Sequence, residues 1–387
     1  MNQKEAVPIE VRVMHPFVFS FYDRFSLKLS EYLPGIERIG FDDAAFKSGA
    51  DYFRIIPDGF DKKKTHALAL FWFVPHPMNR TLAVSYYSMI ETGNALTHQE
   101  KERGSMVDKV IGIFPYVETR QDKWSITEKR GKEEVLYGES ITAEIFAKGL
   151  KAGGYSGAGI LDIHSHESSE YIKKEGIRLV NATAVPLFVD WVENKEIDLD
   201  KCCVAALDLG ALQRCCHFMD LAKMSLKDQL VVFKKMRLGH HVVDDSTLLY
   251  GQVKDRDILL IDDLLDTGGS IGITCEALKK AGCGKIRVFL SHGVVSYPGR
   301  SNVKKLLDEG VIDSVVVTDS LPRGNYTLRG IEGVKVISVA PLMAGVGKIM
   351  SQLSDKQIQE VEGFKPFILA TEDKNKVWEK VAGEIGV

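Results

Sequence analysis

The sequence is poor in the features that would set it apart from ordinary globular chains. Of 387 residues only 6 are cysteine, at 202, 203, 215, 216, 275 and 283, and none has the C-x-x-C spacing of zinc ribbons or dithiol redox motifs. They read as reduced thiols. Lys+Arg 50 against Asp+Glu 53 leaves a net charge of -3, so no overall positive field draws the chain to nucleic acid or anionic lipid. The most apolar run, Ala67 to Pro75, is far short of the roughly 18 residues of a membrane span. The opening MNQKEAVPIEVRVMHPF lacks the basic start and apolar core of a signal peptide, which makes the cytoplasm the expected location. Two phosphate-loop patterns fail as well. Gly345-Val-Gly347-Lys348-Ile349 lacks the first glycine and the hydroxyl residue of a Walker A loop, and Gly157-Ala-Gly159-Ile-Leu-Asp162 has aspartate where a dinucleotide fingerprint needs its third glycine. Both read as turns.

What is present fits two α/β domains. Hydrophobic residues at 45% and charged residues at 27% support real cores and exclude a disordered chain, while the length suits two domains better than one. Short apolar runs alternate with amphipathic stretches, the layout of a parallel sheet flanked by helices. Strands are expected at Ala67-Phe73, Lys109-Phe114, Gly159-Ile163, Cys203-Leu207, Ile258-Ile261, Ile286-Leu290, Ser314-Val317 and Val334-Ser338. Helices are expected at Ile141-Lys151, Pro186-Glu193, Ile271-Ala281 and Ser301-Glu309, two of them followed by Gly153 and Gly282 as stops. The polar stretches Glu91-Met106 and Ser125-Glu134 read as exposed loops.

The strongest chemical signal is Asp257-Ile-Leu-Leu-Ile261 followed by Asp262-Asp263-Leu-Leu-Asp266-Thr267-Gly268-Gly269-Ser270 and a helix. Taken alone, Asp-Asp caps helices and Thr-Gly-Gly makes turns. Together, a buried strand, a Gly-rich loop and a helix N-terminus aim backbone N–H groups and a dipole at one point, which suits a phosphate. Gly268 and Gly269 allow close approach, and Thr267 and Ser270 add hydroxyl donors. The carboxylates of Asp262, Asp263 and Asp266 would repel that phosphate unless they face donors, and vicinal sugar hydroxyls are such donors. A sugar phosphate satisfies both halves.

This stretch resembles the ribose-phosphate motif shared by phosphoribosyltransferases and ribose-phosphate pyrophosphokinases, and further blocks resemble the second family alone. Phe114-Pro-Tyr-Val-Glu-Thr-Arg120-Gln121-Asp122-Lys123 is similar to its ATP-contacting Arg-Gln-Asp-Lys segment, and Asp162-Ile-His164 to its Asp-Leu-His motif. Asp208-Leu-Gly210-Ala-Leu-Gln-Arg214 resembles its pyrophosphate loop, Lys235-Met-Arg237 its catalytic loop, and Ser291-His-Gly-Val294 and Thr318-Asp-Ser-Leu-Pro322 its later blocks.

The resemblance implies two phosphoribosyltransferase-type domains, residues 1–182 and 183–345, each a mostly parallel sheet flanked by helices and related by a pseudo-twofold. A helical segment, 346–387, is expected to pack on the first. It implies diphosphoryl transfer from ATP to the 1-hydroxyl of ribose 5-phosphate, giving phosphoribosyl pyrophosphate and AMP. Lys235 and Arg237 are the implied catalytic cations, Mg²⁺ the cofactor with His164 and Asp208 as ligands, and a homo-oligomer the implied assembly, with no nucleic-acid or membrane partner. His166 lies nearby, but only His164 falls at the family position. Arg120, Gln121, Asp51 and His164 are the implied ATP-side residues. The chain departs from the family where Ala50, beside Asp51, replaces an expected glutamate, and where the segment before Arg120 is about two residues longer than usual. Two alternatives are a phosphoribosyltransferase, which leaves half the chain unexplained, and a non-catalytic regulatory homologue, which should have lost catalytic side chains that are all retained here.

Overall fold

The computed structural model describes residues 10–14, 31–32, 37–39, 41–45, 51–55, 65–72, 82–97, 107, 109–120, 122, 128–130, 133–135, 140–237, 243–321, 328–352, 365–369 and 372–386. The chain divides into two compact units, Met1–Asn181 with Ala340–Glu362 and Ala182–Val339 with Gly363–Val387.

The first unit holds strands β1 (Glu10–Met14), β2 (Glu37–Ile39), β3 (Phe41–Ala45), β4 (Asp51–Ile55), β5 (Thr65–Trp72), β6 (Lys109–Tyr116), β7 (Glu128–Arg130), β8 (Glu133–Val135), β9 (Gly157–Leu161) and β10 (Arg178–Ala182, whose last residue opens the second unit). Six of them form a sheet in the order β10-β9-β6-β5-β1-β2, parallel through β2, β1, β5, β6 and β9. Every residue of β9 is buried, as expected of a strand covered on both faces. Helices α1 (Leu82–Thr97), α2 (Thr142–Ala152) and α3 (His166–Lys174) cover one face. There Met89, Leu96, Phe146, Leu150 and Ile172 meet Val110, Phe114, Ala158 and Ile160, and the Phe114 and Phe146 rings cross edge to face at 5.2 Å. Helix α9 (Ala340–Gln352) covers the other face. Its approach depends on Gly159, where a Cβ would stand 2.4 Å from Val346 Cγ1, and Arg178 Nη2 donates to the Met350 carbonyl.

Two expected loops are partly structured. Glu91–Thr97 continues α1, because Met89, Thr92 and Leu96 recur at helical spacing and are buried. Residues 128–130 and 133–135 pair antiparallel; a ladder this short and charged has no apolar alternation by which to be read.

The second unit is a seven-stranded sheet in the order β13-β12-β11-β14-β15-β16-β17. Its strands are β11 (Cys202–Ala206), β12 (Leu230–Arg237), β13 (Val243–Tyr250), β14 (Asp257–Leu265), β15 (Ile286–Gly293), β16 (Ser314–Thr318) and β17 (Val334–Ile337). All pairings are parallel except the β12–β13 hairpin. On one face Cys203, Ala205, Ile258, Leu260, Val288 and Val315 pack with Ile271, Cys275 and Leu278 of α7 (Gly269–Lys280) and with Val303 and Leu306 of α8 (Gly299–Asp308). On the other, Phe289 sits among Phe188 and Trp191 of α4 (Val185–Asn194) and Phe218 of α5 (Leu212–Leu221), at ring distances of 5.5, 5.6 and 6.3 Å. Each of the three fully buried phenylalanines contributes on the order of 2 kcal/mol by removal from water.

The expected tail, 346–387, divides. Helix α9 belongs to the first unit, whereas α10 (Lys374–Ile385) packs in the second against α5 and α6 (Leu226–Gln229). The chain between them is tied to the second unit where His217 Nε2 donates to the Pro366 carbonyl (2.7 Å) and Thr183 N to the Phe367 carbonyl (2.9 Å). All six cysteines are free, and burial pushes the Cys202 thiol up to about 11, so it is protonated at neutral pH. Among the described residues no helix is long and apolar enough to cross a membrane.

Candidate functional site

In open α/β sheets, binding groups gather beyond the C-terminal ends of the strands, and this edge of the second sheet carries most of the residues singled out above. Strand β14 runs on to Leu265, so Asp262 and Asp263 lie in the strand and not in the loop expected after Ile261. The register explains why. Pairing with β11 ends at Ala206–Ile261, while pairing with β15 continues through Asp262–Leu290 to Leu265–Gly293. Both carboxylate residues therefore stand past one neighbour while still held by the other. Asp266, Thr267 and Gly268 turn the chain into α7, and Gly268 adopts the left-handed φ of +76° that glycine tolerates. The intrahelical bond from Gly272 N to Gly268 O leaves the N–H groups of Gly269 and Ser270 pointing out of the helix end.

The neighbouring loop, after β11, is joined to this one. Asp208 Oδ1 accepts from Gly210 N (2.8 Å) and Ala211 N (3.2 Å), which folds the turn into α5. Arg214 reaches back with Nη1 to the Gly210 carbonyl (3.2 Å), and its Nη2 lies 3.3 Å from Asp263 Oδ2. Asp263 N in turn donates to Asp262 Oδ1 (2.9 Å). Arg214 and Asp263 are both buried. The carboxylate expected on sugar hydroxyls is thus paired with the guanidinium expected on pyrophosphate. Lys235 and Arg237 lie in β12, beyond its last parallel pair with β11 at Ala206–Val232, where the backbone pairs with Ser246 and Val243 of β13; their side chains lie outside the described residues.

In the first unit, β6 and β9 end side by side, pairing as far as Phe114–Ile160. After β9 the buried Asp162 takes a φ of +41°, Ile163 N donates to Asn181 Oδ1 (2.9 Å), and Ser165 Oγ caps α3 by accepting from Ser168 N (3.1 Å). His164 stands exposed between these fixed points. After β6, Arg120 is held by Glu118, with Nε 2.6 Å from Oε1 and Nη2 3.2 Å from Oε2, and Tyr116 Oη donates to the same Oε2 at 2.7 Å. Burial and the Glu118 charge push the nearby Tyr86 phenol well up, and its hydroxyl donates to the Glu118 carbonyl. Glu118 carries no role in the sequence motifs, although Glu-x-Arg puts both side chains on one face of an extended segment. Gln121 and Lys123 lie outside the described residues, as does the side chain of Asp51, whose backbone pairs with Ala45 in β4. Among the described residues no three His, Cys, Asp or Glu side chains converge on a point that would hold a metal.

The phosphoribosyl synthetase-associated domain family matches residues 234–357. A ribose-phosphate pyrophosphokinase of Prochlorococcus marinus is 32% identical over 205 residues, 53% of this chain and 58% of that protein, and one of Parasynechococcus marenigrum is 30% identical over a stretch of the same length. The chain spans somewhat over half the length of these curated relatives. A phosphoribosylpyrophosphate synthetase structure from Mycobacterium smegmatis covers 88% of this chain and 98% of its own with a TM-score of 0.67 at 21% identity, a likeness of fold. The architecture is that class's: α/β, with parallel sheets flanked by helices. Over about half its length the chain is similar to ribose-phosphate pyrophosphokinases, at about 31% identity.

Proposed function

We propose that the protein is a ribose-phosphate diphosphokinase, moving the diphosphoryl group of ATP to the 1-hydroxyl of ribose 5-phosphate with AMP as the leaving group. What supports this reading is the link between the 208–214 and 262–270 segments through Arg214 and Asp263, with Lys235 and Arg237 on the strand beside β11, past its last parallel pair. The outward N–H groups of Gly269 and Ser270, with the Thr267 hydroxyl, receive the 5-phosphate, while Asp262 and Asp266, with Asp263 behind them, accept from the ribose hydroxyls. Arg120 and Gln121, with Asp51, serve the nucleotide. Lys235 and Arg237 meet the charge that builds on the diphosphoryl group in flight.

Mg²⁺ is the proposed cofactor: Asp208 in the second unit and, separately, His164 in the first are the residues proposed to hold it, and it would supply neutralisation of the triphosphate charge. The donors fit it: Asp208 supplies hard carboxylate oxygen on a turn fixed by two backbone N–H groups, and Mg²⁺ keeps waters and substrate oxygens for the rest of its shell. Cytoplasmic location and a homo-oligomer belong to the same reading.

A second reading, a regulatory homologue without turnover, is favoured by one feature. Arg120 and Arg214, the cations expected on phosphate, are both bonded to this chain's own carboxylates. The two readings part in one assay, formation of AMP from ATP. Turnover that requires both ribose 5-phosphate and Mg²⁺ supports the enzyme; tight ribose 5-phosphate binding with no AMP formed supports the regulatory homologue.

A further inference from the structure

The 265–268 loop does not hold its shape by itself. Val295 N donates to the Leu265 carbonyl (2.9 Å), and Val295, a β-branched residue, takes a φ of +48°, a conformation it adopts only under constraint. Gly299, the first residue of α8, lies against the next carbonyl so closely that a Cβ would stand 2.4 Å from Asp266 O. One turn on, Asn302 Nδ2 donates to the Thr267 carbonyl at 2.8 Å. Three successive carbonyls, of residues 265, 266 and 267, are thus met by one segment, 295–302. Peptide planes are rigid, so a carbonyl held toward α8 turns the following N–H the other way. Fixing the Thr267 carbonyl fixes the N–H of Gly268 and, through the left-handed Gly268, the entry into α7.

We infer that Asn302 is a positioning residue for the candidate phosphate loop: it holds the Thr267 carbonyl back so that the 268–270 backbone stays turned toward a phosphomonoester. Gly299 supports it by leaving room for the Asp266 carbonyl. Asn302 acts through the loop backbone and touches no substrate itself. The inference rests on the 262–270 loop being the ribose 5-phosphate site.

Asn302→Asp tests the donor without changing the side chain's size, since a carboxylate accepts and cannot donate to a carbonyl; Asn302→Ala removes the group. Both should weaken ribose 5-phosphate binding by about tenfold, the value of roughly 1.4 kcal/mol, and speed amide hydrogen exchange in the peptide spanning 265–271, with ATP affinity unchanged. Asn302→Gln, which keeps the donor, should recover part of the loss. Gly299→Ala provides an independent displacement of the same loop and should shift the same two readouts. Parent-like ribose 5-phosphate affinity and exchange in Asn302→Ala and Asn302→Asp would overturn the inference. If the parent protein binds no ribose 5-phosphate, the proposed function falls, while the exchange comparison still decides whether Asn302 fixes the loop.

Discussion

The two sheets present polar groups at their C-terminal edges in different ways. In the second unit Asp208, Arg214, Asp263 and Asp262 form one connected set, and its central pair is buried. In the first unit the turn after β9 is fixed by Asn181 and Ser165, and His164 stands outside it, exposed. A buried charge must be paired or the fold is penalised, so the second edge ties the candidate site to stability. At the first edge His164 keeps them separable, although Arg120 is paired there with the buried Glu118. Substitutions should therefore divide into three kinds: those that stop chemistry, those that also unfold, and those that change one binding property alone.

The largest effect is expected in the β12–β13 hairpin, which projects past the last parallel pair. If Lys235 and Arg237 act on the group in flight, Lys235→Ala or Arg237→Ala lowers kcat by a thousandfold or more, above about 4 kcal/mol of barrier. Ribose 5-phosphate affinity stays near the parent value, because an interaction made only in the transition state leaves ground-state binding alone. A kcat within about threefold of the parent, under about 0.7 kcal/mol, would remove both residues from the chemistry.

Next comes the buried pair. Asp263→Ala leaves the Arg214 guanidinium buried without its carboxylate and should cost roughly 3 kcal/mol of unfolding free energy, read as a lower denaturant midpoint. Replacing both partners together, with Arg214→Met and Asp263→Leu, should recover most of it. An unchanged midpoint in Asp263→Ala would show that the pair is not holding the two loops together.

Much of this was legible beforehand, for physical reasons that particular residues make plain. Strand β9 and helix α7 announce themselves because a fully buried apolar run and a Gly-bounded amphipathic helix leave strong local patterns. The end of β14 does not, since Asp262 and Asp263 in a strand are explained only by the unequal lengths of its two neighbours. The Arg214–Asp263 and Arg120–Glu118 pairs were equally hidden. Arg214, Asp263 and Arg120 read as ligand-facing groups and Glu118 carries no role, and nothing in sequence spacing says that a cation is already bonded within the chain. The division of the tail leaves no local pattern either, because the small faces that receive it, such as Gly159 under Val346, are dictated by distant contacts.

A middle-sized effect tests that last point in the first unit. Gly159→Ala places a methyl 2.4 Å from Val346 Cγ1, and overpacking of this kind costs about 1 to 3 kcal/mol. Val346→Ala in the same chain should relieve part of the loss. If Gly159→Ala melts with the parent, helix α9 does not lie on β9 as described.

The smallest effect on the fold is expected at His164, and it separates the two edges most cleanly. The side chain is exposed, and the turn around it is held by Ile163 N on Asn181 and by the Ser165 cap, so His164→Ala should leave unfolding free energy within about 0.5 kcal/mol of the parent. Its proposed role is to hold Mg²⁺, so the Mg²⁺ concentration that half-saturates AMP formation should rise several-fold. Asp208→Ala should raise the same Mg²⁺ requirement but also lose about 1 kcal/mol of stability, because Asp208 Oδ1 accepts from the Gly210 and Ala211 N–H groups at the start of α5. Titrating Mg²⁺ against both variants, with a melting curve for each, decides the matter. A loss of stability in His164→Ala equal to that in Asp208→Ala would erase the contrast between the edges, and an unchanged Mg²⁺ requirement in His164→Ala would remove it from the metal.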